Sequence, residues 1–216
     1  MCIRDRSDII ETLDGFGNTR CTFALVAPHE SLTVRATSRV TVHARFEALD
    51  PATGLPWEAA AQRLRYDPAV PFAPEVEFTF PSTYVPLHPE LREYALLSFT
   101  PGRPVAEAAL DLMHRIHADF SYRPAHTQVS TPILQAFQER IGVCQDFAHV
   151  MIGCLRAIGL PARYVSGYLM SQPPPGKPRL IGADASHAWV SVHCAGVPGN
   201  AGWVDLDPTN AVSYTH

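Results

Sequence analysis

The stretch that decides the fold is Gly142-Val143-Cys144-Gln145-Asp146-Phe147-Ala148-His149. Its apolar side chains continue at helical spacing as far as Ile158, and Gly159 follows as a C-cap, so the pattern predicts a helix over residues 144–158. Cys144 then stands at a helix N-terminus, where unpaired N–H groups and the positive end of the helix dipole favour a thiolate. A structural cysteine would fit the same position, because buried free cysteines are common.

Two later segments supply the partners that a nucleophilic cysteine needs. His187 opens a predicted strand over residues 187–194, and Asp207 ends the next one, over 202–207. On adjacent antiparallel strands the two side chains could lie side by side. A histidine whose tautomer is fixed by a carboxylate can deprotonate a thiol.

Each of these residues also has a plain structural interpretation when it is taken singly. His187 would be a surface or hydrogen-bonded core histidine, and Asp207 an ordinary turn residue before proline. Asp205 is a rival for the third role, although the turn frames it less well. The order of the three settings, a helix start and then two strand ends, favours a catalytic Cys–His–Asp site.

The remaining pattern predicts an α+β core over about residues 95–210. Apolar side chains follow helical spacing from Pro104, a residue tolerated at a helix start, to about residue 120. A shorter helix is predicted over residues 131–140, and Gly142, just after it, is expected to terminate it. A strand is predicted over residues 163–169.

The N-terminal part of the chain is predicted to be a β-rich module over residues 8–80. Residues 22–26 and 32–46 alternate between apolar and polar side chains, which indicates strands with one solvated face. Ten prolines between residues 50 and 104 break any long element. We interpret this stretch as a surface connection with short helical turns near 57–64 and 89–97.

Both ends of the chain look foreign to the protein. Residues 1–7 read MCIRDRS and residues 212–216 read VSYTH, and both resemble translated sequencing-adapter read-through. We therefore set both segments apart from the fold as sequencing artefacts. The natural start and end of the protein are then expected to be missing. With the end, the last strands of the core would be missing too.

Composition excludes several classes of partner. The net charge is −4 and Lys and Arg form no stripe, which argues against nucleic acid. No apolar run approaches the roughly 18–20 residues that span a bilayer. The five cysteines form no CxxC pair, which argues against a zinc ribbon, and a disulfide framework is not expected in a chain this large. We expect a bacterial cytoplasmic protein without metal or other cofactor.

Four blocks in this order resemble the bacterial form of the transglutaminase-like superfamily, and the N-terminal β region is similar to one that often precedes that core. The first block is the stretch quoted above. The others are Leu155-Arg156-Ala157-Ile158-Gly159-Leu160-Pro161-Ala162-Arg163-Tyr164-Val165-Ser166-Gly167-Tyr168, Ala185-Ser186-His187-Ala188-Trp189 and Trp203-Val204-Asp205-Leu206-Asp207-Pro208-Thr209-Asn210.

The resemblance implies a papain-like core in which the helix of Cys144 packs on an antiparallel sheet that carries His187 and Asp207. It also implies thioester chemistry on a peptide or protein substrate. The thiolate attacks an amide carbonyl, the histidine protonates the leaving amine, and water or another amine resolves the acyl-enzyme. Hydrolysis by a cysteine protease or amidase is the leading hypothesis. Transpeptidation, with protein cross-linking, shares the first half-reaction.

Supporting residues follow from the same setting. The backbone N–H of Cys144 is free at a helix start and is the natural first donor to an oxyanion. Tyr122, by analogy with aromatic donors in related enzymes, and Gln145, unless it caps the helix, are candidates for the second donor. Trp189 is expected to pack beside His187 and exclude water.

Other hypotheses stay open at this point. A catalytically inactive peptide-binding scaffold would retain the same fold. A zinc hydrolase built on Cys144, His187 and His193 lacks paired-ligand spacing, and a calcium site lacks an acidic loop. Asp146 and His149, one helical turn apart, are interpreted as a hydrogen-bonded pair that fixes the helix.

Overall fold

A computed structural model of the chain describes residues 9–25, 28–35, 37, 39, 41, 50–169, 176, 186–197 and 202–213. The chain divides into two compact units, Met1–Thr41 and Val42–His216. Residues 50–80, which the sequence analysis grouped with the N-terminal module, fall within the second unit. Among the described residues, no helix is both long enough and apolar enough to cross a bilayer.

The first unit contains a β-hairpin of strands β1 (Ile10–Leu13) and β2 (Thr19–Thr22). Its turn is held by Asp14, whose side chain accepts hydrogen bonds from the backbone N–H groups of Phe16 and Asn18, each at 2.9 Å. A short carboxylate that bonds nearby backbone groups is a common turn device. The turn-forming residues from Asp14 to Asn18 therefore close a hairpin.

The strands predicted over residues 22–26 and 32–46 are not seen among the described residues of those ranges beyond Thr22. Leu32 and Val34 are 55% and 64% exposed. Their alternation thus has no buried face here, and alternation stabilises a strand only where one face packs. Residues 26, 36, 38, 40 and 42–46 lie outside the described part.

Five α-helices and a 3₁₀ turn are described in the second unit. They are α1 (Trp57–Arg63), the 3₁₀ turn (Pro74–Thr79), α2 (Pro89–Leu96), α3 (Val105–Asp119), α4 (Ile133–Glu139) and α5 (Cys144–Ala157). The helices predicted near 57–64, 89–97, 104–120 and 144–158 are confirmed. Gly159, at φ +82°, follows α5 as the C-cap glycine expected from sequence.

The proline-rich stretch is not a surface connection, which corrects the sequence interpretation. Leu91 and Ala95 of α2 are fully buried, and α2 packs against α5. The contact is close, since a Cβ added at Gly153 would lie 2.8 Å from Cδ1 of Leu91. Pro89 is the first residue of α2, a position where proline favours a helix instead of breaking it.

A four-stranded antiparallel sheet forms the other layer of the core. Its strands are β5 (Ala162–Tyr168), β6 (Ser186–His193), β7 (Trp203–Asp207) and β8 (Val212–Ser213), in that spatial order. Val212 and Ser213 belong to the segment that we had set apart as foreign. Val212 nevertheless lies opposite Asp207, because ladder pairing uses backbone groups that any residue supplies.

Helix α5 packs against β5 and β6, and its Phe147, Met151 and Leu155 are buried in the core. This arrangement of helices on an antiparallel sheet is the expected α+β fold. A short parallel pair, β3 (Ser121–Tyr122) and β4 (Ile141–Gly142), leads into α5.

Arg140, and not Gly142 as predicted, ends α4. It adopts a left-handed conformation at φ 57°. Its guanidinium lies over the rings of Phe137, Tyr94 and Phe120, at 4.1, 4.7 and 4.9 Å from their centroids. Cation–π contacts of this kind are attractive and fix the side chain. They offset the strain that a non-glycine residue meets in this conformation.

Candidate active site

Cys144 is the first residue of α5, and its side chain is partly exposed. Asp146, which is only 3% exposed, shapes the turn before it. Its Oδ2 accepts hydrogen bonds from the backbone N–H of Val143 at 2.8 Å and from Oγ1 of Thr127 at 2.5 Å. A Cβ at Gly142 would lie 2.7 Å from that oxygen, so the turn requires a glycine there. Asp146 thereby fixes the backbone that presents the thiol.

The hydrogen bond expected between Asp146 and His149 is not among the bonds of the described residues. The His149 ring instead lies between two tyrosines, parallel to Tyr84 at 6.1 Å and tilted against Tyr164 at 5.2 Å. Burial lowers the pKa of His149, the Asp146 charge opposes this shift, and the Arg156 charge adds to it. The two residues are neighbours, as their spacing predicted, but Asp146 hydrogen-bonds Val143 and Thr127 whereas His149 contacts two tyrosine rings.

His187 and Asp207 meet through the register of β6 and β7. Val190 lies opposite Leu206, which puts His187 and Asp207 on the same face of the sheet. The Nε2 atom of His187 is 2.8 Å from Oδ2 of Asp207, and both side chains are fully buried. The sequence analysis predicted this contact from the two strand ends. Asp205, the rival, lies opposite Ser191 instead.

The second ring nitrogen of His187 completes the cluster. Nδ1 is buried and makes no well-formed hydrogen bond among the described residues, while the Cys144 sulfur lies close enough to affect the protonation of the ring. Burial opposes a positive charge on this imidazole. Hydrogen bonding to Asp207, the interaction with the Cys144 thiolate and the charges of both outweigh it, and they raise the pKa of His187 to about 9.

Trp189 packs beside His187, with the two rings 6.3 Å apart and inclined by 25°. The indole lies over Gly167, which faces His187 across the ladder. A Cβ at Gly167 would come within 2.9 Å of Cζ3 of the indole, so a larger residue would displace the ring. Trp189 thus lies beside His187, as the sequence predicted.

Tyr122 and Gln145 have different surroundings. Tyr122 pairs with Gly142, two residues before Cys144, and burial together with the thiolate charge raises its pKa. Gln145 does not cap the helix among the described contacts, since its Nε2 donates to the carbonyl of Val129 at 3.3 Å. Its amide ties α5 to the loop before α4. Tyr122 therefore remains the better candidate for an oxyanion donor.

Tyr164 is a neighbour of the thiol that the sequence analysis did not identify. Burial raises its pKa, and the charges of Cys144 and Asp146 act in the same direction. Its position on β5 follows from strand pairing alone, and no local motif marks it. Only the packing of α5 on the sheet brings it near Cys144.

Asn210 is a second residue that sequence reasoning missed. Its Nδ2 donates to Oδ2 of Asp207 at 2.7 Å and lies 3.5 Å from Nε2 of His187. The backbone N–H groups of Thr209 and Asn210 donate to Oδ1 of Asp207 at 2.9 and 3.3 Å. An Asn three residues after Asp in a turn was the available signal.

Two further cysteines, Cys154 and Cys194, and one histidine, His193, belong to packing. Cys154 and Cys194 are buried, and burial raises the pKa of each thiol, that of Cys194 to about 12. His193 packs edge-on against Trp203 at 5.2 Å. Within the described ranges, no three His, Cys, Asp or Glu side chains are arranged to hold a metal ion.

The geometry, a thiol at a helix start beside a buried His–Asp pair, agrees with a family match. The model of the transglutaminase-like superfamily matches residues 98–208. The chain belongs to the transglutaminase-like superfamily. An uncharacterized protein of Mycobacterium tuberculosis is 45% identical over 205 residues, which cover 91% of this chain and 62% of that protein. The chain thus spans less than two thirds of the length of this relative.

Two further proteins that are similar to this chain carry names that refer to chemistry. A protein-glutamine gamma-glutamyltransferase of Pseudomonas aeruginosa is 33% identical over 131 residues, which cover 52% of this chain and 19% of that enzyme. A solved structure of a candidate cysteine protease from Cytophaga hutchinsonii has a TM-score of 0.52 and 29% identity, and covers 70% of this chain and 48% of that one. The papain-like fold of the superfamily is therefore the fold of this chain.

Proposed function

We propose that this chain is a thiol-dependent acyl-transfer enzyme that cleaves amide bonds of peptides or proteins. Cys144 is the nucleophile, His187 its acid–base partner, and Asp207 the carboxylate that holds the histidine. One observation carries the proposal. Nε2 of His187 makes a buried 2.8 Å contact with Oδ2 of Asp207, so Nδ1 is the ring nitrogen available to the Cys144 sulfur.

The first half-reaction uses each atom of this arrangement. The sulfur of Cys144 bonds to the carbonyl carbon, and the carbonyl oxygen takes the negative charge. The backbone N–H of Cys144 and the hydroxyl of Tyr122 are the proposed donors to that oxygen. Nδ1–H of His187 then gives its proton to the leaving nitrogen, the C–N bond breaks, and a thioester remains on Cys144.

The second half-reaction decides between hydrolysis and cross-linking. Nδ1 of His187, now neutral, takes a proton from a water or an amine, which attacks the thioester and releases Cys144. We propose water as the main acceptor, because the thiol is partly exposed and water needs no binding site of its own. The two named relatives, a candidate protease and a gamma-glutamyltransferase, correspond to the two outcomes.

Intact-mass spectrometry of the chain incubated with a peptide library tests this function. We expect a covalent acyl adduct that is retained in Cys21→Ser, a control at an exposed cysteine, and absent from Cys144→Ala. Turnover that persists in Cys144→Ala would contradict the proposal. A protein that binds peptides but forms no adduct and releases no product would be an inactive scaffold instead.

A primary amine added to the same reaction separates the two acceptors. Hydrolysis predicts free peptide acids whose yield is unchanged by the amine. Transpeptidation predicts that the amine is incorporated into the product and that the acid yield falls accordingly.

A further inference from the structure

Within the described part of the chain, four hydrogen-bond donors to the carboxylate of Asp207 fall into two pairs. Oδ1 accepts the backbone N–H groups of Thr209 and Asn210. Oδ2 accepts Nε2–H of His187 at 2.8 Å and the side-chain Nδ2–H of Asn210 at 2.7 Å. An ionised carboxylate, which only accepts hydrogen bonds, matches such a set of donors.

The two pairs do different work. The backbone pair on Oδ1 comes from the turn between β7 and β8, and both of its donors are main-chain groups. The side chain of Asn210 bonds the other oxygen, Oδ2. Its distinct feature is that it donates to the same oxygen as His187, and that its nitrogen lies 3.5 Å from Nε2 of that ring.

Two donors on one oxygen compete for its negative charge. The partially positive N–H of Asn210 draws charge from Oδ2 and lies beside the ring that must carry a positive charge. Both effects make the imidazolium of His187 less stable than it would be if Oδ2 of Asp207 bonded the histidine alone. An imidazolium that holds its proton too firmly is a poor general acid. A competing donor on Oδ2 would therefore help His187 to release its proton.

We propose that Asn210 is a positioning residue that competes with His187 for Oδ2 of Asp207 and so determines how readily His187 releases its proton. The benefit to the leaving amine rests on the proposed function, whereas the competition itself is a property of the folded protein. Among the described residues, the charged groups that face His187 are Asp207 from β7 and Cys144 from α5. Trp189 of its own strand presents a neutral ring.

Histidine ring NMR titration tests the proposal on the intact chain. The His187 signal is identified by its absence from His187→Gln, and its pKa is compared in wild type, Asn210→Ala and Asn210→Asp. We expect the pKa to rise in Asn210→Ala, by up to about one unit, because a competing donor is removed. It should rise further in Asn210→Asp, which adds a carboxylate of nearly the same shape.

The opposite result would overturn the proposal. If Asn210 merely held the site together, its loss would loosen the His–Asp contact and lower the pKa towards the ordinary 6.5. An unchanged pKa would equally contradict competition. Asn210→Leu, which removes the same donor and keeps much of the side-chain volume, carries the test should Asn210→Ala fail to fold. Ser191→Ala is the control, since it removes a buried polar group of β6 that has no described hydrogen-bond partner.

The titration separates this inference from the proposed function. A shift of His187 without any acyl adduct on Cys144 would support the competition and contradict the enzyme. An adduct without a shift would support the enzyme and contradict the competition.

Discussion

At the scale of single residues, His187 combines full burial with a preference for the protonated state. Burial alone would make this imidazole neutral, and the carboxylate and thiolate at its two nitrogens reverse that tendency. The pair of opposite charges can exist in the interior because each has a partner within contact distance. His187 is thus expected to stay protonated through the neutral range.

His187 should make stability depend on pH in the alkaline range. Its pKa rises from 6.5 to about 9 on folding, so its stabilisation is complete below about pH 6.5 and is lost as the pH rises through about 9. Urea unfolding of wild type and His187→Gln at several pH values measures this contribution. The advantage of the wild type should shrink with rising pH, and a constant difference would contradict the shift.

Asp207 and Asp205 offer a matched pair of charge deletions two residues apart. Asp207→Asn removes the charge that faces His187, and we expect alkylation of Cys144 by iodoacetamide near pH 6.5 to slow by about tenfold or more. Asp205→Asn, opposite Ser191 in the ladder, should leave the rate unchanged. Equal losses in both variants would mean that neither aspartate acts through the histidine.

The predictability of these residues follows from where they stand in their elements. Cys144, His187 and Asp207 occupy the ends of a helix and two strands, and periodicity locates such ends well. Asn210 and Tyr164 reach the cluster through a turn conformation and through the packing of a helix on a sheet. The packing that places Tyr164 depends on residues far apart in the sequence, so local pattern does not contain it. For Asn210 the spacing of three residues from Asp207 was a local signal, whereas its approach to His187 depends on strand pairing.

At the scale of elements, the entry into α5 determines where the thiol lies. The β4 strand, the Gly142 turn and the carboxylate of Asp146 form one hydrogen-bonded unit that ends at Cys144. The loop before α4 joins this unit through Thr127. Periodicity predicted the helix itself, whereas the buried carboxylate at its first turn was interpreted wrongly, as a partner of His149.

A methyl group at Gly142 should disturb this unit. Gly142→Ala brings a Cβ within 2.7 Å of Oδ2 of Asp146, and we expect a loss of about 1–3 kcal/mol in the free energy of unfolding together with slower alkylation of Cys144. Gly15→Ala, where an added Cβ meets nothing within 4 Å, is the control. A Gly142→Ala protein as stable and as reactive as wild type would show that the turn can relax.

At the scale of the whole molecule, the core of the second unit extends beyond the segment, residues 95–210, that the sequence predicted as the core. Helix α2 contributes Leu91, Tyr94 and Ala95 to the same buried cluster as α3 and α5. Proline content suggested a surface connection because most prolines interrupt helices. The exception is the first turn, where Pro89 stands, and that distinction cannot be made from proline content alone.

Truncation of α2 side chains tests this view of the core. Leu91→Ala should lower the free energy of unfolding by about 2–5 kcal/mol, because a fully buried leucine leaves a cavity. Leu97→Ala, at a residue 64% exposed, should change it by less than about 0.5 kcal/mol. Urea denaturation measures both free energies of unfolding. Small losses of similar size in the two variants would mean that α2 is a surface element after all.

The burial of His187 and Asp207 beneath a partly exposed Cys144 has a consequence for covalent reagents. A reagent dissolved in water meets the sulfur first, while the imidazole behind it is closed to any electrophile that must approach through solvent. Diethyl pyrocarbonate should therefore modify exposed rings such as those of His114 and His117 and spare His187. A covalent probe for this site is therefore best designed as an electrophile that reacts with sulfur.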